Sequence, residues 1–489
     1  MDHNLHKTKK VVTRYAPSPT GFQHIGGIRT ALFAFLFARK KNGTFILRIE
    51  DTDKERQVAG AIEHTKEALT WMGIDWDYGP GTETPFGSCI QSERLPIYKK
   101  YAEDLIIRGL AYPDPYTVEE VAAFKDAAIA EKRPFLYRDH RPEVFTTWDG
   151  TKPLRLKVPE VKRYTWNDVT RGELSAGEEM LDDVVLIKSD GFPTYTFAHI
   201  VDDLLMGVTH IMRGDEFISS MPKFLSIYDA LEIPYPVFVS MPPILRDDRT
   251  KKLGKRDGAK DILEYRTDGY LPSAMVNFLA LTGWNPGTEQ EVFTREELIQ
   301  VFDINKIQRA GAAFNEEKLV WMNRQHLNLL TIDEFTDYIK PAIPEKLSNA
   351  PQYSNDKLGR LIPTIRERIN TLAEFAAEVE TGEYDFAFTT PEYETEILQW
   401  KNDESAKNAQ PRLKHALELL KNADFSSPAT IKAALWDYAE EVGKGELLWP
   451  LRVCLSGKTQ SPDPFTLAYV IGQLETLARI TTACDKIGE

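Results

Sequence analysis

The chain has 489 residues, a formal net charge of −14, 42% hydrophobic and 27% charged residues, which is ordinary for a globular protein of two to four domains. Its longest wholly apolar run, Ala31–Ala38, is far shorter than the roughly 20 residues that span a bilayer, and no apolar signal-peptide segment follows the N-terminal lysines. Three scattered cysteines exclude a disulfide framework and a cysteine-based zinc site. We therefore expect a soluble cytoplasmic protein that does not contact a membrane.

The first predicted elements form a βαβ unit. Thr8–Ala16 is rich in β-branched residues and predicts a strand, which the cluster at 17–21 ends. Apolar residues at helical spacing predict a helix from about Ile25 to Lys41, and Asn42-Gly43 is a plausible end for it. Thr44–Glu50 predicts a second strand. Such a unit implies a parallel sheet with ligands at the carboxyl ends of its strands.

Changes in the pattern of apolar and charged residues divide the rest of the chain into predicted domains. We predict a Rossmann-like catalytic domain from residues 1–90 and 197–250, with an α+β domain inserted at 91–196. A region containing a basic loop follows at 251–331, and amphipathic helices predict an all-α region at 332–489. The predicted fold class is therefore α/β, with a helical C-terminal extension.

Individual segments support this division. Inside the insertion, Val118–Lys132 predicts a helix, and Lys152–Val158 and Glu178–Lys188 predict strands. In the C-terminal region, Asp356–Glu380 and Ala406–Asn422 have the periodicity of amphipathic helices.

A candidate phosphate site begins at His24, in the turn between the first strand and the first helix. Free N–H groups and the positive end of the dipole favour phosphate at a helix start, and Gly26 and Gly27 allow a nucleotide to approach closely. His24 could donate a hydrogen bond to a phosphate oxygen as charge develops on it. An ordinary glycine-rich helix start with an exposed histidine is the alternative, which the preceding Pro-Ser-Pro-Thr-Gly segment disfavours.

The second candidate lies about 230 residues downstream. Arg246–Lys260 contains seven basic residues and three acids. Within it, Lys252 and Lys255 could neutralise the outer phosphates of a nucleotide, and the glycines at 254 and 258 suit a mobile loop. Taken alone, such a run is more often a solvated loop. Its pairing with the segment at His24 favours an enzyme that attacks ATP at the α-phosphate.

Two further segments carry polar residues next to predicted strands. Glu50 ends the second strand and could hold an ammonium group, whereas Asp51 and Asp53 could equally cap a following helix. Tyr195 and His199 are one helical turn apart and so share a face, although alone they could be ordinary core residues.

Arg213 follows the β-like pair Ile211-Met212, which is a good position for binding a carboxylate with a guanidinium.

These segments, in this order, resemble the HIGH and KMSKS signatures of class I aminoacyl-tRNA synthetases, and in particular glutamyl-tRNA synthetases of the bacterial type, from residue 11 to about 330. The resemblance implies a glutamate pocket that contains Arg14, Ser18, Glu50, Tyr195, His199 and Arg213. It also implies an ATP site formed by His24, Gly26, Gly27, Glu216, Leu245 and Lys255, with Lys252 and Lys255 acting in catalysis. The helical C-terminal region would bind the anticodon.

The reaction implied by this resemblance is ligation of L-glutamate to tRNA(Glu). The glutamate α-carboxylate attacks the α-phosphorus of ATP-Mg²⁺, and the 2′-hydroxyl of the terminal tRNA adenosine then takes the glutamyl group. Some members of the family also charge tRNA(Gln), which the sequence leaves open. We expect a monomer.

The sequence departs from the family pattern at several positions. Gly254 stands where many relatives have serine, and Gln23 replaces a common apolar residue. His199 occupies a position where several relatives have asparagine. Ala111–Pro113 lacks the cysteines that some relatives use for zinc, so we expect no zinc site.

Three alternatives remain. A small-molecule nucleotidyltransferase of the same superfamily, or a glutamyl transferase acting on a modified tRNA base, would not need the long helical extension. A non-catalytic RNA-binding paralogue would be expected to have lost residues such as His24, Lys252 and Lys255, which are all present.

Overall fold

The predicted βαβ unit is present in the computed structural model, which describes residues 10–254 and 260–488. Strand β1 (Val12–Tyr15) leads into helix α1 (Ile25–Lys40), and strand β2 (Thr44–Leu47) pairs parallel with β1 over all four residues. The helix ends at the predicted place, because Asn42 adopts a left-handed conformation with φ of 49°. A side chain at Gly43 would collide with the carbonyl oxygen that precedes β1, so glycine is required there.

The chain continues with alternating helices and short strands. In order, these are α2 (Ala61–Trp71), α3 (Leu95–Ile107), β3 (Ala111–Pro113), α4 (Val118–Ala130), β4 (Leu154–Leu156), β5 (Tyr164–Asp168), β6 (Gly172–Ala176), β7 (Val185–Ile187), α5 (Tyr195–Leu205), β8 (His210–Gly214), α6 (Met221–Ala230), β9 (Val237–Met241) and β10 (Ile244–Leu245). They are followed by α7 (Ile262–Thr267), α8 (Pro272–Leu281), α9 (Arg295–Val301), β11 (Ala312–Ala313) and α10 (Glu316–Leu329).

Parallel pairing organises the strands around β1 and β8. Strands β8 and β9 are parallel, and the hairpin of β5 and β6 joins the free edge of β9. The Thr209 N–H, just before β8, donates to the carbonyl oxygen of Val12 at 2.9 Å, while the Val12 N–H donates to Thr209 Oγ1 at 2.9 Å. The starts of β1 and β8 are therefore adjacent, and these strands deliver their carboxyl ends to the same edge. Strands β3, β4 and β7 form a separate antiparallel sheet.

One local prediction is wrong, and one alternative that the sequence left open is decided. The segment 178–188 is not one strand, because it begins with a short 3-10 helix (Glu178–Met180) and only its end forms β7. Asp53 precedes another 3-10 helix but makes no capping hydrogen bond, since its carboxylate pairs instead with Arg56 at 2.6 Å. The Asp51 carboxylate accepts the Ser92 N–H at 2.8 Å.

The C-terminal region is helical, as predicted. Its helices are α11 (Ile332–Ile339), α12 (Glu345–Ser348), α13 (Asn355–Arg368), α14 (Leu372–Glu380), α15 (Asp385–Phe388), α16 (Ala409–Lys421), α17 (Pro428–Val442), α18 (Lys444–Ser456), α19 (Pro464–Ile471) and α20 (Gln473–Gly488). The predicted helix over 356–380 is divided in two, because the Thr371 side chain accepts the Glu374 N–H and starts α14.

A single arginine illustrates how this helical core is closed. Arg479, on α20, is buried, and its Nη1 donates to the carbonyl oxygens of Leu455 at 2.6 Å and Phe386 at 2.9 Å. Its Nε pairs with Glu475 at 2.7 Å. These bonds satisfy carbonyl groups at helix ends that would otherwise be buried without partners.

The chain folds as two compact units, Met1–Arg266 with Pro272–Leu319, and Thr267–Leu271 with Val320–Glu489. The α/β class with a helical C-terminal region is therefore confirmed. The four-part domain division stays a prediction. Within 10–254 and 260–488, no helix is both long enough and apolar enough to cross a membrane.

Candidate active site

The candidate site lies at the edge where the parallel strands end. Arg14 is on β1, Glu50 follows β2, and Arg213 is on β8. All three residues are buried, with exposed fractions of 4%, 3% and 9%. Because these strands run in the same direction, their ends bring together charged side chains that are far apart in sequence.

His24 caps the first helix of this edge. Its backbone is extended, and its Nδ1 atom accepts the Gly26 N–H at 3.0 Å. This bond places the ring hydrogen on Nε2, so the ring can act as a donor there. Side chains at Gly26 and Gly27 would approach the His24 ring to 2.9 Å and the Tyr15 hydroxyl to 2.7 Å. The two glycines therefore keep the helix start open and the histidine ring in place.

The carboxylate of Asp203, on α5, joins two arginines beneath the site. Its Oδ1 atom accepts from Arg14 Nε at 3.1 Å and from Arg48 Nη1 at 2.7 Å. Arg48 also donates through Nη2 to Glu50 Oε1 at 2.9 Å. Burial acts to raise the pKa of Asp203, but the charges of Arg14 and Arg48 hold this pKa below its ordinary value. Burial raises the pKa of Glu50, against the opposing charges of Arg48 and Arg14.

The neighbouring carboxylate of Asp202 extends this network. It accepts hydrogen bonds from Arg94 Nε at 2.8 Å, Gln91 Nε2 at 2.9 Å and the Tyr98 hydroxyl at 2.8 Å. Arg48 also approaches this carboxylate, with its Nε 3.9 Å from Asp202 Oδ2. All six charged residues of the network are thus buried, and each makes more than one polar contact, which is what burial of charge requires. They are Arg14, Arg48, Glu50, Arg94, Asp202 and Asp203.

These structural charges were missed in the sequence. Arg48, Arg94, Asp202 and Asp203 were not predicted as site residues, yet they fix the position of Arg14 and Glu50. The available signal is a pair of adjacent acids in the mostly apolar stretch 196–206, since a buried acidic pair needs cations nearby. Nothing in the sequence indicates which arginines supply them.

Among the residues described, Arg213 differs from Arg14, Arg48 and Arg94 because no carboxylate pairs with it. Its guanidinium carbon lies 5.0 Å from the ring centre of Phe224 and 5.3 Å from that of Phe217. Within the described part of the chain, its Nε and Nη1 atoms are buried and have no hydrogen-bond partner. A buried guanidinium with unused donors is costly unless a ligand satisfies it, so this side chain indicates an anion-binding position.

Tyr195 and His199 stack on one face of α5, as their spacing predicts. Their ring centres are 4.8 Å apart, and Phe224 packs edge-on against His199 at 4.8 Å. His199 Nδ1 lies 2.8 Å from the Tyr195 carbonyl oxygen, so Nδ1 carries the hydrogen and donates it. Burial, and then the charge of Arg213, lowers the pKa of His199 well below its ordinary value. The ring is therefore neutral, and its Nε2 is an acceptor without a partner among the residues described.

The remaining predicted residues surround this centre. Ser18 is exposed in the turn after β1. Glu216 lies just after β8, and its carboxylate is 3.4 Å from the ammonium group of Lys252. Leu245, on β10, forms a β-bridge with Lys252 and so anchors the start of the basic loop. Lys255 lies outside the described residues.

The site shows no cluster of metal ligands. In residues 10–254 and 260–488, no three His, Cys, Asp or Glu side chains are grouped so as to hold a metal ion.

Comparison with known proteins places the whole chain in one group. Residues 10–321 match the family described as "tRNA synthetases class I (E and Q), catalytic domain", and residues 334–484 match an anticodon binding domain. The chain is 39% identical to a glutamate–tRNA ligase of Clostridium botulinum strain Hall, with 98% of this chain and 99% of the relative covered. It is 38% identical to the glutamate–tRNA ligase of Exiguobacterium sibiricum, over 96% of this chain and 99% of the relative.

Solved structures give the same result. A glutamate tRNA ligase from Elizabethkingia meningosepticum, crystallised in complex with its amino acid, has a TM-score of 0.84 and 34% identity over 98% of this chain and 99% of its own. A glutamate-tRNA synthetase from Elizabethkingia anophelis has a TM-score of 0.80 and 33% identity, over 98% of this chain and all of its own.

The buried network predicts that removal of the Asp203 carboxylate strongly lowers the stability of the protein. Asp203→Ala would leave Arg14 and Arg48 without their shared carboxylate, so the free energy of unfolding should fall by about 3–5 kcal/mol. Urea unfolding followed by tryptophan fluorescence measures this change. Asp53→Ala is the matched control, because it removes an exposed ion pair with Arg56 and should have no measurable effect. Equal small changes in both variants would contradict the role assigned to Asp203.

Proposed function

The chain belongs to the class I tRNA synthetases of the glutamate and glutamine type and has glutamate–tRNA ligase activity, and from that premise we propose which of its residues carry out the reaction. Its substrates are glutamate, ATP and tRNA. The observation that supports our assignment most is the buried guanidinium of Arg213, whose Nε and Nη1 have no hydrogen-bond partner among the described residues. Its charge, like that of Arg14, acts on the neighbouring Tyr195 and His199.

In our proposal the side chain of glutamate is bound by the two arginines at the strand ends. Arg14 binds the side-chain carboxylate, and Arg213 supplies the unused Nε and Nη1 donors beside it. Asp203 holds the Arg14 guanidinium through Nε, while Arg14 Nη1 donates to the carbonyl oxygen of Met212 at 3.3 Å. Arg14 is thereby fixed in orientation before the substrate arrives.

The other pocket residues are assigned to the amino-acid end of the substrate. Glu50 provides a carboxylate for the α-ammonium group, and the neutral His199 provides the Nε2 acceptor. Tyr195 forms the wall beside His199, and Ser18 is placed at the exposed mouth of the pocket. His199 can take the place of the asparagine found in several relatives, because a neutral imidazole also offers a hydrogen-bond acceptor.

This arrangement explains how glutamine would be rejected. An amide has no negative charge, so it would leave the buried guanidinium of Arg213 without an anion. Polar pockets discriminate strongly in this way, because the wrong substrate leaves their buried groups unpaired.

The first chemical step joins glutamate to AMP. An α-carboxylate oxygen attacks the α-phosphorus of ATP, the bond to the bridging oxygen breaks, and pyrophosphate leaves. We assign His24 Nε2–H to the α-phosphate oxygens, where negative charge grows in the transition state. Gly26 and Gly27 let the helix start approach the phosphates, as the positive end of the dipole favours.

Other residues are assigned to the rest of the nucleotide. Lys252 and Lys255 neutralise the β- and γ-phosphates as pyrophosphate separates. Glu216 and Leu245 complete the ATP site, and in the free enzyme Glu216 holds Lys252 at 3.4 Å. We propose that Mg²⁺ enters bound to ATP and that no zinc is used.

The second step transfers the glutamyl group to tRNA. The 2′-hydroxyl of the terminal adenosine attacks the carbonyl carbon of the adenylate, and AMP leaves. We propose residues 91–196 for acceptor binding, 251–331 for contact with the tRNA stem, and 332–489 for the anticodon, on a catalytic domain of 1–90 and 197–250. We also propose that the protein is a monomer and that it acts in the cytoplasm, where charged tRNA is used.

The proposed acceptor is tested by glutamylation of purified tRNA(Glu) and tRNA(Gln) side by side, with ATP and Mg²⁺. We expect tRNA(Glu) to be charged. Charging of tRNA(Gln) as well would make the enzyme non-discriminating and dependent on a later amidation of the product. Failure with both tRNAs would contradict the proposal and favour the transferase acting on a modified base.

The assignment of Arg213 is tested by Arg213→Met, which removes the charge and keeps most of the apolar stem. The KM for glutamate should rise by at least about 10²-fold, because an anion loses a buried cationic partner. The KM for ATP should change little, and Arg213→Lys should recover part of the loss. A parallel rise in both KM values would contradict the assignment.

A further inference from the structure

We propose that His64 and Asp261 are positioning residues that fix the peptide of Gln23 and, through it, the ring of the neighbouring His24. This inference rests on the role proposed above for His24. Neither His64, on α2, nor Asp261, just before α7, belongs to the assigned glutamate or ATP contacts.

His64 and Asp261 are hydrogen-bonded to each other, and His64 is also bonded to the backbone of Gln23, the residue before His24. His64 Nε2 lies 2.8 Å from Asp261 Oδ1, and the Gln23 N–H donates to His64 Nδ1 at 3.3 Å. On the far side, the Gln23 carbonyl oxygen accepts the Ile262 N–H at 3.1 Å. His24 itself forms an antiparallel β-bridge with Asp261. Two segments almost 240 residues apart are thus bonded together at the catalytic histidine.

The side chain of Gln23 completes this restraint. The Tyr15 hydroxyl donates to Gln23 Oε1 at 2.6 Å, and Gln23 Nε2 donates to Thr65 Oγ1 at 3.0 Å. Gln23 is 8% exposed, and every polar group it possesses has a hydrogen-bond partner. An apolar residue here could not make the two side-chain bonds, so this chain's departure from the family pattern adds rigidity next to His24.

The hydrogen-bond pattern excludes general-base catalysis by His64. Its Nδ1 accepts a peptide N–H, so the ring hydrogen is on Nε2 and is donated to Asp261. The same Asp261 oxygen also accepts the Leu263 N–H at 2.8 Å at the start of α7. Phe22 stacks on the imidazole with ring centres 4.6 Å apart and planes inclined by 15°. Both nitrogens are occupied by protein groups, and the ring is held in orientation rather than presented to a substrate.

A positioning role has a defined kinetic consequence. A donor displaced by about 1 Å from the transition state can lower a rate by about 10²-fold. Loss of the His64–Asp261 pair should therefore lower kcat and leave the KM for glutamate unchanged, because the pair does not touch the glutamate pocket.

The test is a double-mutant cycle on the full-length enzyme, measured as tRNA(Glu) charging at saturating substrates. His24→Ala alone should lower kcat by about 10²-fold or more. His64→Ala alone should lower it by about 10- to 10²-fold. In the His24→Ala background, adding His64→Ala should cost less than about 3-fold, because no ring remains to be positioned.

Conservative variants and a control separate positioning from folding. Asp261→Asn keeps an oxygen acceptor for both His64 and the Leu263 N–H, so its kcat should stay within about 3-fold of the wild type. Lys66→Ala, on the same helix as His64, removes only an exposed pair with Glu63 and should be neutral. Melting temperatures of all variants are recorded in parallel.

The outcomes distinguish this inference from the function it rests on. Additive losses in the double variant, or an equal rise in the KM for glutamate in His64→Ala, would overturn the positioning role alone. A near-normal rate for His24→Ala would overturn the proposed role of His24 and this inference with it.

Discussion

The carboxylate that Arg14 and Arg48 share on Asp203 is the interaction on which the site depends. Two guanidiniums cannot be buried side by side at a sheet edge without an anion between them. Asp203 supplies that anion, and Arg48 carries the linkage onward to Glu50 at 2.9 Å and towards Asp202 at 3.9 Å. The carboxyl ends of β1 and β2 and the helix α5 are thereby tied together by charge. The orientation of Arg14 follows from this network and not from the strand alone.

The unused donors of Arg213 contrast with the carboxylate pairs that hold the other arginines of the site. The fold pairs Arg14, Arg48 and Arg94 with protein carboxylates, yet leaves Arg213 between two aromatic rings. Unsatisfied buried groups are rare in folded proteins and tend to mark binding sites. For a glutamate–tRNA ligase, we propose that the missing partner is the side-chain carboxylate of the amino acid. In the proposed site, Arg213 thus adds its unused donors to the guanidinium of Arg14, which Asp203 holds in place.

The sequence predicted the parts of the site that depend on local pattern. The βαβ unit, the helix start at His24 and the shared face of Tyr195 and His199 all follow from periodicity and turn residues. The pairs of Asp203 with Arg14 and Arg48 could not be predicted, because they join residues separated by 189 and 155 positions and depend on how the strands pack. The sequence left open whether Asp53 caps a helix, and the structure shows that its carboxylate pairs with Arg56 instead.

The central claim is that Arg213 completes a carboxylate site whose geometry is preset by Asp203. A crystal structure of the enzyme with L-glutamate bound tests it most directly. We predict a side-chain carboxylate oxygen at about 3 Å from Arg213 Nε or Nη1, with the bond between Arg14 and Asp203 unchanged. A side-chain carboxylate bound away from both arginines, or an Arg213 that turns to pair with a protein carboxylate, would contradict the claim.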